Sequence, residues 1–179
     1  MRKLMLFTLL LAWATLTGNA FAQLKGNATG LQIPRFVSLK SSRVNLRVGP
    51  GRKFSVQWLY LNSGLPVEVI QEYDQWRQIR DSEGTEGWVF HSLLSGKRTA
   101  IIAPWDKELS AKSSNEDSFA RAYQNNSSNA SVVGILQPGL VVSIESCDKS
   151  WCKVKKGKFI GYLPKPKIWG VYPKEVFEN

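Results

Sequence analysis

Short apolar stretches recur along this chain, some alternating with polar residues, and polar turns interrupt them at short intervals. Arg43-Val-Asn-Leu-Arg-Val48 alternates in this way, the pattern of a half-buried strand. Gly49-Pro50-Gly51 ends it, because the glycines permit φ > 0 and proline brings no ladder donor. Extended structure is predicted again over Val56–Leu61, Val67–Ile70, Trp76–Arg80 and Gly87–Phe90. Asn62-Ser63-Gly64, Tyr73-Asp74-Gln75 and the polar loop Asp81–Glu86 make the turns between them. Ser92–Leu94 suits a single helical turn, and Arg98–Ile102 is expected to close the set. Short strands at this density argue for a small closed barrel over residues 36–102. Beyond the N-terminal stretch no long segment has a 3.6-residue period, so the fold class is all-β.

The pattern then repeats. Gly64-Leu-Pro-Val67, Trp76 and Ile79 return 75 residues later as Gly139-Leu-Val-Val142, Trp151 and Val154; Gly87-Trp-Val89 returns as Gly161-Tyr-Leu163. Two copies of this size read as tandem small domains rather than a solenoid. A second, divergent barrel is therefore expected over 118–175, after a polar linker at 103–117 that holds Trp105. Trp76 and Trp151 are expected to fill the two cores, since domains this small have little else large to bury.

Arg2 and Lys3, the apolar run Leu4–Leu16 and Ala20-Phe21-Ala22 read as a secretory signal at 1–22, with the mature chain starting at Gln23. Residues 23–35, rich in Gly, Asn, Thr and Gln, read as a flexible leader. No membrane span is expected in the mature chain. Export favours a disulfide between Cys147 and Cys152, whose four intervening residues fit a hairpin loop; free thiols and a metal site are the alternatives. Loss of the signal removes two positive residues and lowers the formal charge from +10 to +8. Such a balance suits anionic partners, or simple solubility. The tightest basic group, Lys153, Lys155, Lys156 and Lys158, falls on a hairpin and is explained by a solvated face.

Little in the chain suggests catalysis. His91 is the single histidine, and Ser92 beside it lacks a nucleophile elbow. Two thiols and one distant histidine do not complete a metal set, and no phosphate-cradling loop is present, so no cofactor and no enzymatic activity are expected. Asp81, Glu83 and Glu86 read as a solvated loop.

Arg43-Val-Asn-Leu-Arg-Val-Gly-Pro-Gly51, with Gly64-Leu-Pro-Val-Glu-Val69, Trp76-Arg77 and Glu83–Val89, resembles the bacterial SH3-like (SH3b) domain. The second copy, ending Trp169-Gly-Val-Tyr-Pro173, looks like the degenerate partner of exported two-domain SH3-like proteins of Gram-negative bacteria; its departure lies at Ala120–Asn126. That resemblance implies a periplasmic recognition module and, as partner, a cell-wall peptide or an envelope protein. The residues proposed to bind it are Arg47, Arg52, Trp58, Tyr60 and Tyr73, aromatics beside charge at the loops of the first barrel. An envelope scaffold without a small ligand is the alternative. Nucleic acid is disfavoured, because the positive charge is spread over both copies.

Overall fold

The computed structural model describes residues 24–102 and 119–178. The expected signal peptide and the stretch 103–117 lie outside the described residues. In chain order the strands are β1 (Arg35–Leu39), β2 (Val44–Arg47), β3 (Val56–Tyr60), β4 (Pro66–Tyr73), β5 (Trp76–Arg80), β6 (Glu86–Phe90) and β7 (Leu94–Ser95). There follow β8 (Thr99–Ile102), β9 (Ala120–Tyr123), β10 (Val132–Leu136), β11 (Val141–Cys147), β12 (Trp151–Lys156), β13 (Phe159–Pro164), β14 (Ile168–Trp169) and β15 (Phe177–Glu178). Single 3-10 turns at His91–Leu93 and Lys165–Lys167 precede β7 and β14.

Two sheets result, and they share one plan. The first runs β3-β2-β6-β5-β4-β1-β7, the second β10-β9-β13-β12-β11-β8-β14, with β15 added to β11. The strand Thr99–Ile102 was expected to close the first barrel. It instead pairs with β11 and β14 in the second sheet, and all four of its residues are buried there. It is the counterpart of β1: Gly64 N–H donates to the Leu39 carbonyl and Gly139 N–H to that of Ile102, both at 2.7 Å. Gly64 and Gly139 themselves sit at φ 78° and 82°, a backbone region costly for other residues. The repeat unit therefore begins one strand earlier than the motif spacing suggested. The described strands on either side of residues 103–117, β8 and β9, both belong to the second sheet.

Alternation fills each core. Leu39, Val44, Leu46, Val67, Val69, Ile79 and Val89 cluster in the first barrel; Ile102, Val142, Ile144, Val154, Leu163 and Ile168 do so in the second. The Gly-aromatic-aliphatic triplet follows from close strand packing. A Cβ on Gly87 would meet Leu46 Cγ at 2.6 Å and the Arg47 carbonyl oxygen at 2.9 Å. Neither repeat tryptophan belongs to a core. In β5 the inward positions are Arg77 and Ile79, so Trp76 faces outward and half-buried, edge-on to Phe90 at 5.5 Å. Trp151 is placed in the same way against Tyr123 at 5.4 Å.

One cross-strand position shows how the copies diverged. Glu72 faces Arg77 across β4 and β5, buried and 3.4 Å apart. Cys147 faces Cys152 at the corresponding place in β11 and β12, and there the link is a disulfide. The two barrels also touch. Phe36 packs on Trp169 and Tyr172, with ring centroids 4.9 and 4.7 Å away. The Tyr172 hydroxyl donates to Glu68 Oε1 at 2.8 Å, while Arg80 holds Oε2 of the same carboxylate.

Candidate functional site

Residues 24–34, expected to be a flexible leader, are ordered. Lys25 pairs with Gln32 to form a tight turn, and the turn is clamped to the barrel by Glu72. That side chain is wholly buried, yet its two oxygens accept the Ala28 and Thr29 amides at 3.1 and 2.9 Å. They also accept the Thr29 hydroxyl and Arg35 Nη2, each at 2.7 Å. Burial alone would push the carboxyl up. The bonds from Thr29 and Arg35 outweigh it and hold the group down at about 2.

Docking of that turn creates a cleft. Asn27 and Ala28 form one wall, and Asp74, Gln75, Arg77 and His91 form the rest of an open cleft of about 430 Å³. The position of each wall has a local cause. Asp74 adopts φ 48° at the β4–β5 turn, a conformation aspartate tolerates better than most residues. Arg77 Nη1 locks that turn by donating to the carbonyls of Asp74 and Trp76 at 2.8 and 2.9 Å. The His91 amide donates to the Gln75 carbonyl at 2.9 Å, fixing the 3-10 turn beside it. The Asp74 carboxylate, the Gln75 and Asn27 amides and the His91 imidazole are left at the rim. Cross-strand partners Tyr73, Trp76 and Phe90 supply an outward aromatic row next to them.

The five residues proposed from sequence do not converge. Arg47 is spent on structure: its Nη1 donates to the carbonyls of Arg52 and Phe54, stapling the β2–β3 loop. Arg52 is exposed in that loop, and Trp58 is 55% exposed on the edge strand β3. Tyr60 is a core residue, so it offers no ring face to a ligand. Its burial, with the hydrogen bond it donates to Asp81 Oδ2 at 2.8 Å, pushes its phenol up. Only Tyr73, 61% exposed, stands near the cleft, four strands along the sheet from Trp58. Glu72, Arg77, Gln75 and the leader turn escaped the reading. Glu72 looks like an ordinary polar position in a strand, and nothing local announces the partners it collects 43 and 44 residues away.

The acidic loop is a turn, not a carboxylate pair. Asp81 Oδ1 accepts the amides of Glu83 and Thr85, and Glu86 lies 3.7 Å from Arg80. Among the described residues no three His, Cys, Asp or Glu side chains group as a metal site would require. No helix among them is long and apolar enough to cross a membrane.

The second barrel repeats the cleft with other chemistry. Lys149, Ser150 and Lys165 occupy the places of Asp74, Gln75 and His91, and the Lys165 amide donates to the Ser150 carbonyl at 2.9 Å. Here the C-terminal segment closes in, since the buried Lys165 Nζ donates to the carbonyls of Pro173 and Glu175.

The bacterial SH3 domain model matches the chain twice, over residues 40–96 and 116–170. These matches cover more than half of the sequence, and the protein belongs to the bacterial SH3 domain family. No curated protein matches it. Solved structures similar to it include NlpC2 and NlpC1 from Trichomonas vaginalis, each 11% identical with a TM-score of 0.33. The alignments cover 78% and 80% of this chain, which spans about half the length of those proteins (49% and 48%). Likeness at that level says nothing of activity.

Proposed function

We propose that the protein is a non-catalytic, exported recognition module that binds a cell-wall stem peptide in the cleft of its first barrel. The observation that carries this reading is the cleft between the docked leader turn, the Asp74–Gln75 turn and His91. Its size is within the ~300–1,000 Å³ usual for ligand sites. Its chemistry suits a short peptide bearing a free amine: Asp74 takes an ammonium, Asn27 and Gln75 pair with peptide groups, and the aromatic row covers small apolar side chains. Family membership and the disulfide support placement outside the reducing cytoplasm.

The test is a titration of the mature chain with purified soluble wall peptides, followed by amide NMR. The reading predicts saturable shifts centred on Asn27, Gln75, Trp76 and His91, loss of those shifts in Gln75→Ala/His91→Ala, and peptides recovered intact. Shifts elsewhere, or cleaved peptides, would refute it. Absence of any shift would leave the envelope-protein scaffold as the working alternative.

A further inference from the structure

A separate pocket lies at the seam of the two barrels and shares no residue with the cleft of the first. It measures about 330 Å³, and the polar side chains lining it are five hydroxyls and two ammonium groups among the described residues. Register brings four of the hydroxyls there in pairs. Ser38 faces Ser95 across β1 and β7 of the first sheet, and Thr99 faces Ser143 across β8 and β11 of the second. The link between β7 and β8 carries Lys97. Its amide donates to Ser95 Oγ at 3.2 Å, and the next carbonyl, that of Arg98, accepts the Ile144 amide at 3.0 Å. Lys40 follows β1, its amide held by the Leu93 carbonyl at 2.8 Å. Ser38 and Thr99, 2% and 9% exposed, make the floor, while Lys40, Ser63, Lys97 and Ser143 are exposed at the rim. Thr99 Oγ1 is buried and has no hydrogen-bond partner, an uncommon condition for a native hydroxyl. Among the described residues no Asp or Glu lines the pocket, and none pairs with Lys40 or Lys97.

We propose that this pocket binds a phosphoryl group, held by Lys40 and Lys97 and by the hydroxyls between them. A phosphoryl group carries its charge on three acceptor oxygens that point in different directions, so ammonium groups and hydroxyls on separate walls bond to it together. A planar carboxylate is matched best by an arginine fork, and no arginine lines this pocket. An uncharged sugar leaves both ammonium groups without a counter-charge. The volume lies at the low end of the ~300–1,000 Å³ usual for ligand sites, enough for free phosphate or for a phosphate ester of monosaccharide size. Because the walls come from both sheets, the bound group ties one barrel to the other.

The experiment is an amide NMR titration of the mature chain, at constant ionic strength, with inorganic phosphate, glucose 6-phosphate, glucose and acetate. Saturable shifts are expected at Ser38–Lys40, Lys97–Thr99 and Ser143 with both phosphorylated probes, and the tighter of the two identifies the source of the group. Glucose and acetate leave those amides unmoved. Lys40→Ala/Lys97→Ala weakens binding at least about tenfold, since hydrogen bonds to a charged group are the strong ones. Thr99→Val weakens it about threefold or more, as loss of one neutral hydrogen bond does. Ser143→Ala repeats that test at an exposed position should the buried replacement unfold. No saturable shift with either phosphorylated probe, equal saturation by acetate, or full binding by the lysine variant would each overturn the proposal.

Discussion

Converting Glu72 to glutamine tests how the first barrel holds its leader and builds its cleft. The carboxylate is buried and accepts four hydrogen bonds from residues 28, 29 and 35, with Arg77 Nε 3.4 Å away. Its pKa falls from the ordinary 4.5 to about 2. That difference corresponds to about 3 kcal/mol favouring the folded, ionised form. Because the folded value is the depressed one, the stabilisation is complete above the unfolded pKa. It is lost as pH falls from about 5 toward about 2. Glutamine keeps the shape but leaves Arg35 and Arg77 without their counter-charge, and its amide NH₂ meets donors where an oxygen stood. The expected loss is therefore about 2–4 kcal/mol at neutral pH. Urea denaturation followed by amide exchange reads it: protection at Ala28 and Thr29 collapses, and the first barrel's stability becomes flatter with pH over that window. A loss below about 0.5 kcal/mol with an unchanged pH profile would refute the clamp.

Other outcomes follow from the same geometry. Gly87→Ala should cost more than about 2 kcal/mol in thermal denaturation, because the Arg47 carbonyl that the new methyl meets is backbone and cannot step aside. Tyr172→Phe removes the hydroxyl bonded to Glu68 across the barrel junction. It should cost about 1 kcal/mol and raise amide exchange in β1 and β14, with the cores unchanged. Cys147→Ala/Cys152→Ala should lower the second barrel's stability by about 2 kcal/mol, a small effect because the closed loop is short, and leave the first barrel's transition in place.

Much of the fold was legible because it was written twice. Each Gly-aromatic-aliphatic triplet packs a glycine against a crossing strand, and each Gly64-type turn needs its left-handed φ; such requirements leave marks in sequence. Cysteines five residues apart on paired strands are equally readable. The misreadings came from properties that sequence spacing does not carry. Alternation says that Trp76 and Ile79 face opposite sides of β5, but not which side is the core, and the side that carries Arg77 and Ile79 is the inward one. Thr99–Ile102 has a strand's composition for either sheet, and its membership depends on the long-range partners β11 and β14. The cleft depended on Glu72, whose role arises only when a distant turn delivers three donors to it and Arg35 a fourth. Tyr60 was an exposed candidate by residue type, and a core residue by register with Val44.

The most direct test of wall-peptide recognition is co-sedimentation of the mature chain with purified peptidoglycan sacculi at low and moderate salt, beside Gln75→Ala/His91→Ala and Lys156→Glu/Lys158→Glu. Binding that survives moderate salt, falls in the cleft variant and persists in the lysine variant is the predicted result. Binding that vanishes with salt, or that the cleft variant retains in full, would contradict it.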